Sequence, residues 1–172
     1  MKQQTFNIEV AQSNIDWTGR KVTGSHFGTI NLKQGSLSVA DGKLTGGAFV
    51  IDVHSIKILD VTDPATNAQF AGHLASDDFF GTTQYPEAQF EITAVVNNHV
   101  EGKLTIKGIT HPIGFDANVH VNGDTLTASG KLVVDRTLYG IRFRSGNFFQ
   151  NLGDTLIYND FDLIVNITAK AA

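Results

Sequence analysis

The run HVEGKLTIKGI, His99 to Ile109, alternates in a two-residue rhythm: Val100, Leu104 and Ile106 fall on one side and Glu101, Lys103, Thr105 and Lys107 on the other. Successive side chains of an extended strand point to opposite faces, so this stretch is a strand with one dry face and one wet face. Such a strand has to bury its dry face against neighbours. The next segment, HPIGFDANVHV, repeats the pattern with Ile113, Phe115, Ala117, Val119 and Val121 against Asp116, Asn118 and His120. A turn at Asn122–Asp124 then leads into TLTASGKLVVDR, where Leu126, Gly130, Leu132 and Val134 continue the inner face. Upstream, Asn97-Asn98 stands between two alternating runs, as a tight hairpin requires, because Asn tolerates positive φ better than other non-glycine residues.

The remainder of the chain reads the same way. Its 17 glycines and 3 prolines punctuate short alternating runs. SNIDWTGRK and FGTINLKQGSLSV precede a turn at Ala40–Lys43, and TLIYNDFDLIVNITAK carries Ile157, Phe161, Leu163, Val165 and Ile167 on one side as a long closing strand. In LTGGAFVIDVHSI the alternation weakens, with Leu44, Ala48 and Val50 on one face and Phe49, Ile51 and Val53 on the other. That strand is expected to be buried on both sides and to need a cover. The candidate cover is TDPATNAQFAGHLAS, where Asp63 can cap a helix, Pro64 suits its first turn, and Phe70 and Leu74 align at i, i+4. About eight antiparallel strands with one short helix favour an all-β, eight-stranded up-and-down (lipocalin-like) barrel with the helix near its mouth, ahead of a two-sheet sandwich. Residues 1–172 are expected to form a single domain, since a hydrophobic fraction of 41% supports a substantial core.

Charge and composition exclude some functions. The net charge of −4 is spread along the chain without a basic stripe, so nucleic acid is not an expected partner. The absence of cysteine removes disulfides, thiolate nucleophiles and cysteine-ligated metals. The start MKQQTFNIEV has no apolar core of a signal peptide, so the chain as written reads as cytoplasmic, and as extracytoplasmic only if a leader has been removed.

Catalytic and metal constellations are sparse. His26, His54, His73, Asp77 and Asp78 lack a helix-face spacing such as H-x-x-x-H, and no metal site is expected. Ser76 or Asp77 is expected to cap a turn that carries Phe79 and Phe80. No G-x-S-x-G elbow occurs, Ser25-His26 lacks a third triad member, and LTGGAF is not a phosphate cradle. Near the C-terminal third, Arg136, Arg142 and Arg144 come close in sequence to Tyr139, Phe143, Phe148 and Phe149. Arg136 is expected to pair with a neighbouring carboxylate, the other arginines lying on a solvated loop; the alternative is that Arg136 and Arg142, with His26, form a polar rim at a pocket mouth. Trp17 is expected to fill one end of the barrel.

Five ordered segments resemble the YceI-like proteins: WTGRKVTGSHFGTI (Trp17 to Ile30), GSLSVADGKLTGGAFVIDVHSI (Gly35 to Ile56), HLASDDFFGTTQYPEAQFEIT (His73 to Thr93), GKLTIKGITHPIGF (Gly102 to Phe115) and VDRTLYGI (Val134 to Ile141). The resemblance implies a bacterial, often extracytoplasmic protein that holds a polyisoprenoid, such as an isoprenoid quinone or its precursor, inside a lipocalin-like barrel. It implies no catalytic residues and no cofactor beyond the bound lipid. From the strand pattern, the inward candidates for the lining are Trp17, Leu104, Ile106, Phe115, Val119, Leu132, Val134, Phe161 and Leu163, with Phe79 and Phe80 near an opening. The same residues could instead fill the interior and leave no cavity. Three readings therefore stay open: a lipid carrier or store, an enzyme that acts on an amphipathic substrate at the mouth through His26, His73 or the carboxylates, and a solid interaction module. Transient membrane contact and a homodimer also remain open.

Overall fold

The computed structural model describes residues 3–146 and 156–172, so Phe148 and Phe149 lie outside the described residues. Among the described residues, nine strands form a closed antiparallel sheet. They are β1 (Gln3–Ile8), β2 (Asn14–Lys21), β3 (Gly24–Ala40), β4 (Lys43–Ile58), β5 (Glu87–Val96), β6 (His99–Ile106), β7 (Ile109–Asn122), β8 (Thr125–Asp135) and β9 (Ile157–Ala171). From β2 onward each strand pairs with the next in the chain, and β9 returns to pair with β2. β1 occupies no position of its own. It pairs with the far half of β3, at Ser36–Ala40, and with the last residues of β9, so β1 and β2 are two pieces of one strand broken by a 3-10 turn at Val10–Gln12. The Ser13 hydroxyl bridges the break, donating to the Glu9 carbonyl at 2.9 Å and accepting the Thr168 amide at 3.0 Å. The barrel thus has the expected eight positions and up-and-down order. β1 was not legible as a strand, because only Phe6 and Ile8 of its six residues point inward.

Hairpin chemistry sets the register. Asp41-Gly42, Asn97-Asn98 and Lys107-Gly108 all have positive φ at both central residues, the two-residue turn whose twist matches the flanking strands. The expected turns at Ala40–Lys43 and Asn97-Asn98 are therefore present.

The expectation that β4 is buried on both faces is overturned. Ser38 pairs with Gly46 and the adjacent Val39 with Leu44, so Thr45 is an extra residue in the ladder. This bulge shifts the phase by one residue, and Leu44 then shares the inner face with Phe49, Ile51 and Val53. Ala48, on the other side, is exposed.

The helix α1 (Pro64–Ala75) forms where the sequence places it. The Asp63 carboxylate accepts from the Thr66 amide at 2.9 Å and its hydroxyl at 2.7 Å, and Pro64 opens the first turn. Asn67 ties the helix to the end of β4 by donating to the Ile58 and Val61 carbonyls, each at 2.9 Å.

The barrel interior is solid at one end. Phe90 lies 5.3 Å from Phe49 and 5.8 Å from Phe115, ring centre to ring centre, and Phe6, Val100, Leu126 and Ala169 are fully buried below. The Phe90 ring lies over Gly102 of the neighbouring strand, where a Cβ would stand 2.4 Å from the ring. A residue other than glycine there would push the ring out of the floor.

Candidate functional site

The other end of the barrel is hollow. A cavity of about 630 Å³ lies between α1 and the aromatic floor, a size in the usual range for small-molecule sites. Its wall stops at one level on successive strands: Ile15 on β2, Ile30 on β3, Ile51 on β4, Ala88 on β5, Leu104 on β6 and Leu163 on β9. Beyond that level the side chains are packed.

The roof follows from helix periodicity. Thr66, Gln69, Phe70, His73 and Leu74 face the cavity at i, i+3, i+4, i+7 and i+8, a single stripe of α1. The chain then turns so that Phe79 and Phe80 also reach the cavity. This turn is held by backbone bonds from Phe80 to the Leu74 carbonyl (3.0 Å), Gly81 to Ser76 (2.8 Å) and Thr82 to Ala75 (2.9 Å). The Lys107 ammonium donates to the Asp77 carbonyl at 2.8 Å and fixes the turn to the β6–β7 hairpin. The expected side-chain capping by Ser76 or Asp77 is replaced by other contacts: the Ser76 hydroxyl donates back to the His73 carbonyl, and it is Asp78 whose carboxylate meets His73, at 3.2 Å.

Trp17 stands in the wall, held by an indole N–H bond of 3.1 Å to the Lys57 carbonyl. Opposite it, a Cβ on Gly28 would lie 1.7 Å from that carbonyl oxygen and 2.8 Å from the indole ring, so the glycine makes room for both. Leu104, Ile106, Phe79, Phe80, Phe161 and Leu163 join Trp17 at the cavity. Four other inward candidates do not. Phe115 belongs to the aromatic floor, while Val119, Leu132 and Val134 pack into the core without reaching the cavity wall.

The polar groups at the opening differ from the expected rim. His26 is at the cavity, its Nδ1 2.7 Å from Asp60 and its ring edge-on to Phe70 at 4.7 Å. Burial works against the charge on Asp60, but the Phe27 amide and His26 outweigh it and hold the carboxyl below its usual range. Arg142 is exposed and outside the wall, whereas Arg144 contributes to it, with its guanidinium 4.9 Å from the centre of the Phe143 ring. Arg20 also lines the opening and is paired with Asp162, whose carboxyl it holds below the usual range.

Arg136 overturns the expectation of a carboxylate partner. The residue is 4% exposed, and its side chain donates to three backbone carbonyls: Ile141 at 2.8 Å, Tyr158 at 3.0 Å and Ile157 at 3.1 Å. The cause is topological. The β8–β9 ladder ends at Asp135 and Asp160, so Ile157 and Tyr158 extend beyond β8, and the arginine supplies the missing donors. Nearby Tyr139 is buried outside the cavity, which pushes its phenol up to about 12.

An oriented imidazole such as His26–Asp60 supplies two of the three members of a catalytic triad, but among the described residues no hydroxyl bonds to the other ring nitrogen. His73 packs edge-on against Phe79 at 4.9 Å and Phe143 at 4.7 Å, an aromatic wall contact. Among the described residues no three histidine or carboxylate groups converge as a metal would need. Asp60 and Arg20 carry no signal in the sequence, and Arg144, expected on a solvated loop, reaches the cavity wall; for Asp60, which stands between β4 and α1, no local pattern marks a role. The arrangement is suited to enclosing an apolar body whose polar end stays near the opening.

Comparison with known proteins places this geometry. The model of the YceI-like domain matches residues 6–169. A UPF0312 protein of Staphylococcus epidermidis is 30% identical over 151 residues, which cover 80% of this chain and 82% of the relative. A Staphylococcus aureus UPF0312 protein is 42% identical over 80 residues; that match spans 41% of this chain and about half of the relative's length, 46%. Among solved structures, a polyisoprenoid binding domain from Saccharophagus degradans, implicated in plant cell wall breakdown, superposes with a TM-score of 0.71 over 98% of this chain and 99% of that one, at 14% identity.

Proposed function

For a chain that belongs to the YceI-like domain family, we propose a role as carrier or store of one long apolar lipid, a polyisoprenoid or an isoprenoid quinone or its precursor, held inside the barrel. The observation that carries this reading is the half-hollow barrel: an apolar chamber under α1, closed below by Phe49, Phe90 and Phe115. Burying each methylene of a tail contributes about 0.8 kcal/mol, so a tail of ten or more carbons offsets the cost of association with no help from its head. The relative from Saccharophagus degradans, a polyisoprenoid binding domain of the same fold, supports the choice of lipid class.

The surroundings of the opening support exchange with a membrane. Val22, Phe27, Leu59, Leu138 and Tyr158 are exposed on segments at this end, Phe27 at 49% and Leu59 at 54%. Lys21, Arg20 and Arg144 stand among them at the opening. Apolar groups mixed with cations are what a protein presents to a lipid surface when it takes up or delivers a tail.

Trp17 is the only tryptophan and lies in the cavity wall, so its fluorescence reports directly on occupancy. Organic extracts of purified protein are expected to contain a stoichiometric apolar molecule by mass spectrometry. Delipidated protein should show a saturable change in Trp17 emission on titration with a short isoprenoid alcohol. Leu104→Arg, which puts a charge into the wall, should abolish both. Protein that is repeatedly empty and gives no Trp17 response to isoprenoids would refute the proposal.

A further inference from the structure

A buried arginine on the wall of an apolar chamber calls for a reason. The guanidinium carries five N–H donors and stays charged at neutral pH. In Arg136 three of these donors meet neutral carbonyls, leaving two, one on each terminal nitrogen. Among the described residues no carboxylate pairs with it. Asp135 is the adjacent acid, but its Oδ1 is occupied by the Thr137 amide at 3.0 Å and the Thr137 hydroxyl at 2.6 Å. Carbonyl dipoles offset part of the cost of burying the charge, and the Asp135 charge acts on it without forming an ion pair, so the guanidinium has no carboxylate in contact.

The neighbourhood amplifies this. Arg20, Lys21 and Arg144 line the same cavity with Arg136, against Asp160 as the acid of the wall. Arg20 is already neutralised by Asp162. The chain as a whole carries a net charge of −4, so a positive opening runs against its overall balance. A low-dielectric chamber with a fixed cation at its edge that no carboxylate contacts discriminates among lipids by the charge of their polar end.

We propose that Arg136 receives the polar end of the bound lipid, and that this end is an anion, a phosphate or carboxylate on a long apolar tail. The proposal rests on the lipid-binding reading and deepens it. The tail enters first, toward the Phe49–Phe90–Phe115 floor. The anion stops beneath the opening, where Arg136 lines the chamber and keeps an N–H group on each terminal nitrogen that bonds no carbonyl.

The test uses the full chain, delipidated, with Trp17 fluorescence as readout. The probes are farnesol, farnesyl phosphate and inorganic phosphate. Wild-type protein is expected to bind farnesyl phosphate at least ten-fold more tightly than farnesol and to give no Trp17 response to inorganic phosphate at the same concentrations. Arg136→Gln should reduce that preference to within about two-fold while farnesol still binds. Arg136→Lys, which keeps the charge, should retain part of it. Equal wild-type affinities for farnesol and farnesyl phosphate would overturn the proposal, and this arm decides the matter even if Arg136→Gln fails to fold. A preference that survives intact in Arg136→Gln would overturn it too, assigning the anion to the rim cations. Inorganic phosphate binding as tightly as farnesyl phosphate would overturn the amphiphile class. If wild-type protein binds neither farnesyl probe, the lipid-binding reading itself fails, an outcome distinct from loss of the charge preference.

Discussion

If the barrel is half floor and half chamber, two phenylalanines of the same interior must behave in opposite ways when truncated. Phe90 is 1% exposed, is flanked by Phe49 at 5.3 Å and Phe115 at 5.8 Å, and lies over Gly102, which has no side chain to move into the gap. Phe90→Ala therefore leaves a void in rigid surroundings and should cost about 3–5 kcal/mol. In a chain of this size each kcal/mol lowers the melting temperature by about 2–4 °C, so the expected fall is roughly 6–20 °C. Phe80 is half-buried, borders the existing cavity, and meets Phe161 at a centroid distance of 6.5 Å. Phe80→Ala enlarges a space already present, and its cost should be only about 1–2 kcal/mol. Binding should reverse the order. Loss of the Phe80 ring from the roof is expected to weaken isoprenoid binding about ten-fold, equivalent to about 1.4 kcal/mol, whereas Phe90→Ala should change it by less than two-fold. The checks are thermal melts of delipidated protein followed by circular dichroism, and titrations followed through Trp17. Equal losses of melting temperature would refute the division into floor and chamber. So would a Phe90→Ala protein that folds but no longer binds while Phe80→Ala binds normally.

Three further outcomes follow from the same geometry. His99 lies between Asp116 (Nδ1, 2.8 Å) and Glu101 (Nε2, 2.7 Å), which raise its pKa above the ordinary imidazole value. A raised folded-state pKa gives a stabilisation that is complete below about pH 6.5 and disappears as pH rises through the folded value. The melting temperature should therefore fall slightly more between pH 6 and pH 8 in wild type than in His99→Gln, and identical slopes would contradict the assignment. Asn98 sits at φ 65° in the β5–β6 turn, so Asn98→Val should cost about 1–2 kcal/mol in urea unfolding while Asn98→Gly costs nothing measurable. Gly28→Ala places a methyl group against the Lys57 carbonyl and the Trp17 ring; it should cost about 1–3 kcal/mol and shift Trp17 emission to the red.

How much of this was legible in the chain depends on the range over which each physical demand acts. Strand direction and hairpin turns answer to neighbours one or two residues away, so β6, β7, β8 and β9, the Asn97-Asn98 turn and the Asp63 cap were readable directly. A bulge breaks that locality: the single extra residue Thr45 makes the β4 pattern look two-sided, although Leu44 and Phe49 share one face. Arg136 was misread for a similar reason, because its partners are carbonyls exposed by the end of the β8–β9 ladder, more than twenty residues along the chain for Ile157 and Tyr158. The hardest distinction was between lining and filling. Phe80 and Phe115 are the same residue type on inward-facing positions, yet one borders the chamber and the other closes it. What separates them stands across the sheet. The Phe115 ring lies over Gly130 on β8, where a Cβ would be 2.7 Å away, as Phe90 lies over Gly102 on β6. Each of these two phenylalanine rings lies against a glycine of the next strand and closes the lumen, whereas Trp17, beside Gly28, is tied to the Lys57 carbonyl and stays in the wall. Among the described residues no glycine offers Phe80 or Phe161 such a bed, so those rings stay at the wall. The floor of the chamber is thus built where Phe90 and Phe115 each meet a glycine of the next strand, a pairwise condition across the sheet that no single run of sequence displays.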